Sequence, residues 1–74
     1  METYIDVFVS VDGDKSSVIF KKINDMGINY HVGEHDFIYD WKGIARISDE
    51  LDLADKIQEK IKGSGAILKF TTIR

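Results

Sequence analysis

Between residues 33 and 43 the chain reads GEHDFIYDWKG, which gathers an imidazole, three acids and three aromatic rings around one expected turn. Several chemistries use such residues. A metal site would draw on His31, His35, Asp36 and Asp40. The H-x3-H spacing puts both imidazoles on one face only in a helix. In a strand, residues four apart lie roughly 13 Å from each other, too far to share one ion. No metal is expected, and the two histidines read as solvent-touching residues near a hairpin. Acid–base chemistry would pair Asp36 with Asp40, or Glu34 with His35. Such pairs need burial and a cleft to perturb them, and a small one-layer fold offers little of either. No serine has a recognisable companion set and there is no cysteine, so nucleophilic catalysis has no candidate. The reading is a protein that is not an enzyme and needs no cofactor.

Binding suits the stretch better. Tyr39 and Trp41 alternate with Asp40, so in a strand two rings pack on one side while a carboxylate leaves on the other. A carboxylate beside the backbone of a tight loop suits an α-amino group. Asp40 also resists a core assignment, because an unpaired buried carboxylate is costly. The rings themselves serve equally well as core anchors.

The elements that must position these residues follow from hydrophobic period. In TYIDVFVSVD, Ile5, Val7, Val9 and Val11 alternate with Tyr4, Asp6, Phe8, Ser10 and Asp12, the pattern of a strand with one dry face. DGD breaks it, and Asp14 is the expected N-cap of a helix to about Met26. Ile19, Ile23 and Met26 form that helix's apolar stripe with Phe20 beside it, and Gly27 ends it. INYHV and the stretch leading into DWKGIARI read as two strands joined near Gly33 to Asp36. SDELDLADKIQEKIKGSG is a second amphipathic helix, capped by Ser48 or Asp49, with Leu53, Ala54, Ile57 and Ile61 inward. Lys60 and Lys62 suit its C-terminal dipole. Gly63 and Gly65 release a last strand, AILKFTTI.

The order is βαββαβ, and two right-handed crossovers place both helices on one face of a four-stranded antiparallel sheet. This predicts a ferredoxin-like α+β fold, a single domain over 1–74. Such a sheet leaves its other face bare. Tyr4, Phe8, Ile38 and Ile44 are expected there, too apolar together to stay wet, so a second copy is expected to cover them. With 74 residues and no cysteine, a small core gains from burying a face in an oligomer.

Charge narrows the partners. The net charge is −3 with acids and bases interleaved, which argues against bare nucleic acid and anionic membrane surfaces. The RNA-recognition motif shares this element order, and VFV at 7–9 and KGIARI at 42–47 echo its two signatures. Ile44 and Arg46 stand where its third strand carries stacking aromatics, so this is the lesser alternative. No run reaches membrane-spanning length and METYIDVFVSVDGD lacks the marks of a signal peptide. The expectation is a complete cytoplasmic chain.

The order of elements and three motifs resemble the ligand-sensing (RAM) domain of the Lrp/AsnC family of transcription regulators, in its stand-alone archaeal form without a helix-turn-helix. The motifs are Tyr39–Asp40 opening the third strand, the acidic helix start SDELDLADKI, and the final LKFTTI, with Thr72 in register and Phe70 where a threonine is usual. The family's Gly-x-Tyr-Asp turn would place its glycine at Phe37; Gly33 is the other candidate, with His35–Asp36 then standing for Tyr-Asp. Either Asp36 or Asp40 thus inherits the ligand-facing role, and the spacing to Asp49 favours Asp40. The resemblance implies a homodimer formed sheet against sheet, assembling into tetramers or octamers. It also implies an amino-acid effector bound near Asp36, Tyr39, Asp40, Trp41 and Thr72, and action through a DNA-binding regulator. An ACT-type regulatory domain, which shares the fold and the task of sensing amino acids, is the alternative.

Overall fold

The alternation of the first segment builds the centre of the sheet. In the computed structural model, which describes residues 1–73, β1 (Glu2–Phe8) buries Thr3 and Ile5 while Glu2, Tyr4 and Asp6 stay partly exposed. It is followed by α1 (Ser16–Asn24), β2 (Asn29–Tyr30), β3 (Phe37–Asp40), α2 (Ile47–Lys60) and β4 (Ile67–Ile73). All pairings are antiparallel and the strands lie in the order β2-β3-β1-β4. This is the ferredoxin-like α+β arrangement read from the sequence. β1 pairs with β4 along its whole length, from Glu2↔Ile73 to Phe8↔Ile67, and with β3 from Glu2↔Asp40 to Ile5↔Phe37.

One core lies between sheet and helices. Ile5, Ile19, Ile23, Ile28, Phe37, Ile57 and Ile61 form it, and Val7, Phe20, Met26, Tyr39, Leu53, Leu68 and Phe70 pack around its rim. Of the expected helix stripes, Ile19, Ile23, Ile57 and Ile61 are buried, while Met26, Leu53 and Ala54 are partly so. Phe37 sits between the rings of Phe20 and Tyr30, with centroids 5.1 and 5.3 Å away.

Four expectations about boundaries are corrected. β1 stops at Phe8, so Val9 and Val11, expected on the dry face, are exposed; Val11 is fully so. The chain must turn there, because Asp14 N–H donates to the Ser64 carbonyl at 3.0 Å and a Cβ at Gly13 would collide with that same oxygen. Lys15, not Asp14, occupies the N-cap of α1, without a side-chain cap bond. α2 begins earlier than expected, with Arg46 at its N-cap. Asp49 sits at the third helical position, and its carboxylate accepts the Arg46 backbone N–H at 2.9 Å, which is half of a capping box. Finally, β3 does not continue into WKGIARI. The Asp40 carboxylate accepts the Lys42 N–H at 2.8 Å and Lys42 adopts a φ of 55°, an Asx-type turn that ends pairing. Ile44 consequently lies off the sheet and 94% exposed, so it is no part of the open sheet face.

Gly27, at a φ of 86°, closes α1 in the left-handed conformation as expected. Among the described residues no helix is long and apolar enough to cross a membrane.

Candidate functional site

Period two in β1 and β3 sends neighbouring side chains to opposite faces, and the candidate residues divide accordingly. On the helix side, Tyr39 and Trp41 meet edge to face, with centroids 4.8 Å apart and planes at 76°. The Trp41 indole N–H donates to the Thr3 hydroxyl at 2.8 Å, and Thr3 shares a second hydrogen bond with the Thr72 hydroxyl at 2.9 Å. Thr3 is 2% exposed, so a hydroxyl buried in the sheet anchors the tryptophan. Thr72 belongs to this arrangement by holding Thr3, in the layer behind the rings.

Two clefts flank the aromatic pair. One, of about 370 Å³, runs along the β2 side past Asn29, Ile38, Tyr39, Asp40, Trp41 and Lys42. The other, of about 170 Å³, lies against α2 and adds Asp49, Asp52, Leu53 and Lys56 to the same two rings. Each sets carboxylate and ammonium groups beside an aromatic wall. A third hollow, of about 390 Å³ between the end of α2 and the start of β4, has Lys62 and Gln58 but neither an acid nor an aromatic ring. It offers shape without convergent chemistry.

The two candidate aspartates do different things. Asp40 is exposed; one oxygen holds the Lys42 N–H. Asp36 points its carboxylate at the Val7 backbone N–H at 2.8 Å, while its carbonyl accepts from His31 N–H at 3.0 Å. Its side chain thus satisfies a β1 amide beyond the last β1–β3 pair and takes no place in either cleft. The structure brings together Tyr39, Asp40 and Trp41, backs them with Thr72, and leaves Asp36 apart.

The open face of the sheet holds a second cluster that sequence reasoning missed. Tyr4 stacks on His35, with centroids 4.8 Å apart, and meets His31 edge-on at 5.3 Å. His35 Nδ1 lies 2.9 and 3.2 Å from the two carboxylate oxygens of Asp6. The Tyr4 hydroxyl donates to Glu2 Oε2 at 2.9 Å. That hydrogen bond, with some desolvation and the Glu2 charge, raises the Tyr4 pKa above the ordinary phenol value. Outward alternation of Tyr4 and Asp6 was legible; the place of Glu2 beside them and the folding of the 31–36 segment over them were not. The histidines expected merely to touch solvent are partly covered by this contact. Of the residues expected on this face, Tyr4 and Ile38 are half-buried side by side and Phe8 is 58% exposed. Ile67 and Ile73 add to the apolar surface at its β4 margin.

No family model, curated protein or solved structure matches the chain. Among the described residues, no three His, Asp or Glu side chains converge as metal ligands. The arrangement around Trp41 combines opposite charges with aromatic surface. It offers an anion and a cation a short distance along the chain from each other, with flat apolar rings between two hollows.

Proposed function

We propose that this chain is a non-enzymatic module that senses an amino acid and self-associates through its open sheet face, acting on transcription through a partner regulator in the manner of the Lrp/AsnC ligand-sensing domain. The observation that carries the reading is the cleft at Asp40, Trp41 and Lys42. A zwitterion fits such a place: its ammonium group pairs with Asp40, its carboxylate with Lys42, and its side chain lies on the Tyr39–Trp41 rings. The cleft volume falls at the lower end of the range for small-molecule sites. Support for self-association comes from Phe8, Ile67 and Ile73, all more than half exposed along the uncovered face. An effector that prefers one assembly state shifts the balance by its differential affinity.

Trp41 is the only tryptophan, so its fluorescence reports on the cleft without a label. Titration with the common amino acids is expected to give a saturable change for one chemical class. Asp40→Asn should abolish it and Lys42→Ala should weaken it. A flat response to all twenty would end the sensing reading. Light scattering across concentration tests association, and a monodisperse monomer at high concentration would end that part.

A further inference from the structure

β4 is an edge strand left unprotected. Its seven residues pair with β1 on one side in an unbroken register, and among the described residues no strand lies on the other. Natural edges of this length are blunted by proline, bulges or charge. The chain contains no proline, the β1–β4 register runs without a bulge, and Lys69 is the one charge in ILKFTTI. The opposite edge of the sheet is blunted differently: β2 has two residues.

Which backbone groups face outward can be worked out. Val7 N–H and the Met1 carbonyl both point toward β3 and its continuation, so odd residues of β1 bond to β3 and even ones to β4. Through the pairs Tyr4↔Thr71, Asp6↔Lys69 and Phe8↔Ile67, the odd residues of β4 therefore face β1. Leu68, Phe70 and Thr72 turn one N–H and one C=O each to the free edge, and among the described residues no backbone group bonds to them.

We infer that this edge pairs, antiparallel, with β4 of a second copy, in the register that sets Phe70 opposite Phe70. Only there do all three outward residues find outward partners: Phe70 with Phe70, Leu68 with Thr72, Thr72 with Leu68. Sliding by two residues leaves two such pairs. It also sets either Lys69 against Lys69, a repulsive pairing, or Thr71 against Thr71. The Phe70-centred register instead places Lys69 beside Thr71. It also lays Ile67 against Ile73 at both ends, partly covering two of the more exposed apolar side chains, at 69% and 56% exposure. On the helix side it brings the half-buried Leu68 and Phe70 of the two copies into one layer. The product is a continuous eight-stranded sheet. This inference does not rest on the cleft or on the stacking of open faces.

The chain has no cysteine, which allows a clean test. Lys69→Cys and Thr71→Cys, both on the open face, are made separately in the full chain. In the proposed register residue 69 of one copy and residue 71 of the other have Cα atoms about 4.5 Å apart, within bridging range. Like residues stand roughly 8 Å apart, beyond it. Mild oxidation of the two variants mixed is expected to give about tenfold more disulfide dimer than either alone. Equal linking in one variant alone, or none in the mixture, overturns the inference. In the unmodified chain, amides of Leu68, Phe70 and Thr72 should exchange more slowly as concentration rises. Exchange independent of concentration up to the millimolar range would count equally against it.

Discussion

Removing the buried hydroxyl behind Trp41 should destabilise the domain by breaking two hydrogen bonds at once. Thr3→Val keeps the shape of a buried side chain but removes the hydroxyl that accepts from the Trp41 indole at 2.8 Å and bonds Thr72 at 2.9 Å. A net hydrogen bond is worth about 0.5–1.5 kcal/mol, and a donor left without a partner loses at the upper end. Two bonds lost together should therefore cost roughly 1–3 kcal/mol. A domain of this length has total stability of roughly 4–11 kcal/mol, so the loss is a sizeable fraction. With a urea slope near 1 kcal/mol per molar, the midpoint should fall by about 1–3 M. Circular dichroism follows unfolding independently of the tryptophan. A double-mutant cycle with Trp41→Phe should give a coupling of at least about 0.5 kcal/mol, as expected for groups in contact. A Thr3→Val loss below about 0.5 kcal/mol, additive with Trp41→Phe, would refute the claim that this hydroxyl holds the aromatic wall in place.

Phe37→Ala removes a fully buried ring packed between Phe20 and Tyr30; it should cost about 3–5 kcal/mol in urea unfolding followed by circular dichroism. Ile23→Val, in the same core, should cost only about 0.5–1.5 kcal/mol and stay folded. Gly13→Ala forces a methyl group into the Ser64 carbonyl, and is expected to cost roughly 1–3 kcal/mol and to speed exchange of the Asp14 amide. Tyr4 is held neutral in the folded state by its bond to Glu2, so this contribution to stability is full below about pH 10 and is lost as pH rises through the folded Tyr4 pKa. Glu2→Gln should move the Tyr4 phenolate absorbance midpoint down toward the ordinary value, and an unmoved midpoint would discount the bond.

The element order was legible because its signals are local. Ile5 against Tyr4 and Asp6 shows period two, while Ile19 with Ile23 and Ile57 with Ile61 show helical stripes; these isoleucines are buried as the pattern requires. What failed was set by partners. Val9 and Val11 continue the alternation, but the chain leaves the sheet after Phe8 to reach the contact with Ser64. Ile44 has a strand-forming side chain, but the Asp40 turn has already ended β3. Of the candidate site, Tyr39 and Trp41 sharing a face was readable from spacing alone. Thr3 was missed because its role depends on cross-strand neighbours on both sides, Tyr39 and Thr72. The sequence left Asp36 and Asp40 as alternatives for a similar reason: only the fold shows the Asp36 carboxylate serving a backbone amide 29 residues away. The Tyr4–His31–His35 cluster depends on how a loop lies over a strand, which no period encodes.

The pairing of Glu2 with Ile73 has a topological consequence. The two ends of the described chain run side by side, so a short linker would close it into a ring. Reopening that ring in the exposed stretch at Gly33 and Glu34 gives the order β3, α2, β4, β1, α1, β2. That permuted polypeptide again spells βαββαβ, with the same neighbours throughout. The two halves of this fold are thus exchangeable in chain order, and the architecture is indifferent to which of them is synthesised first.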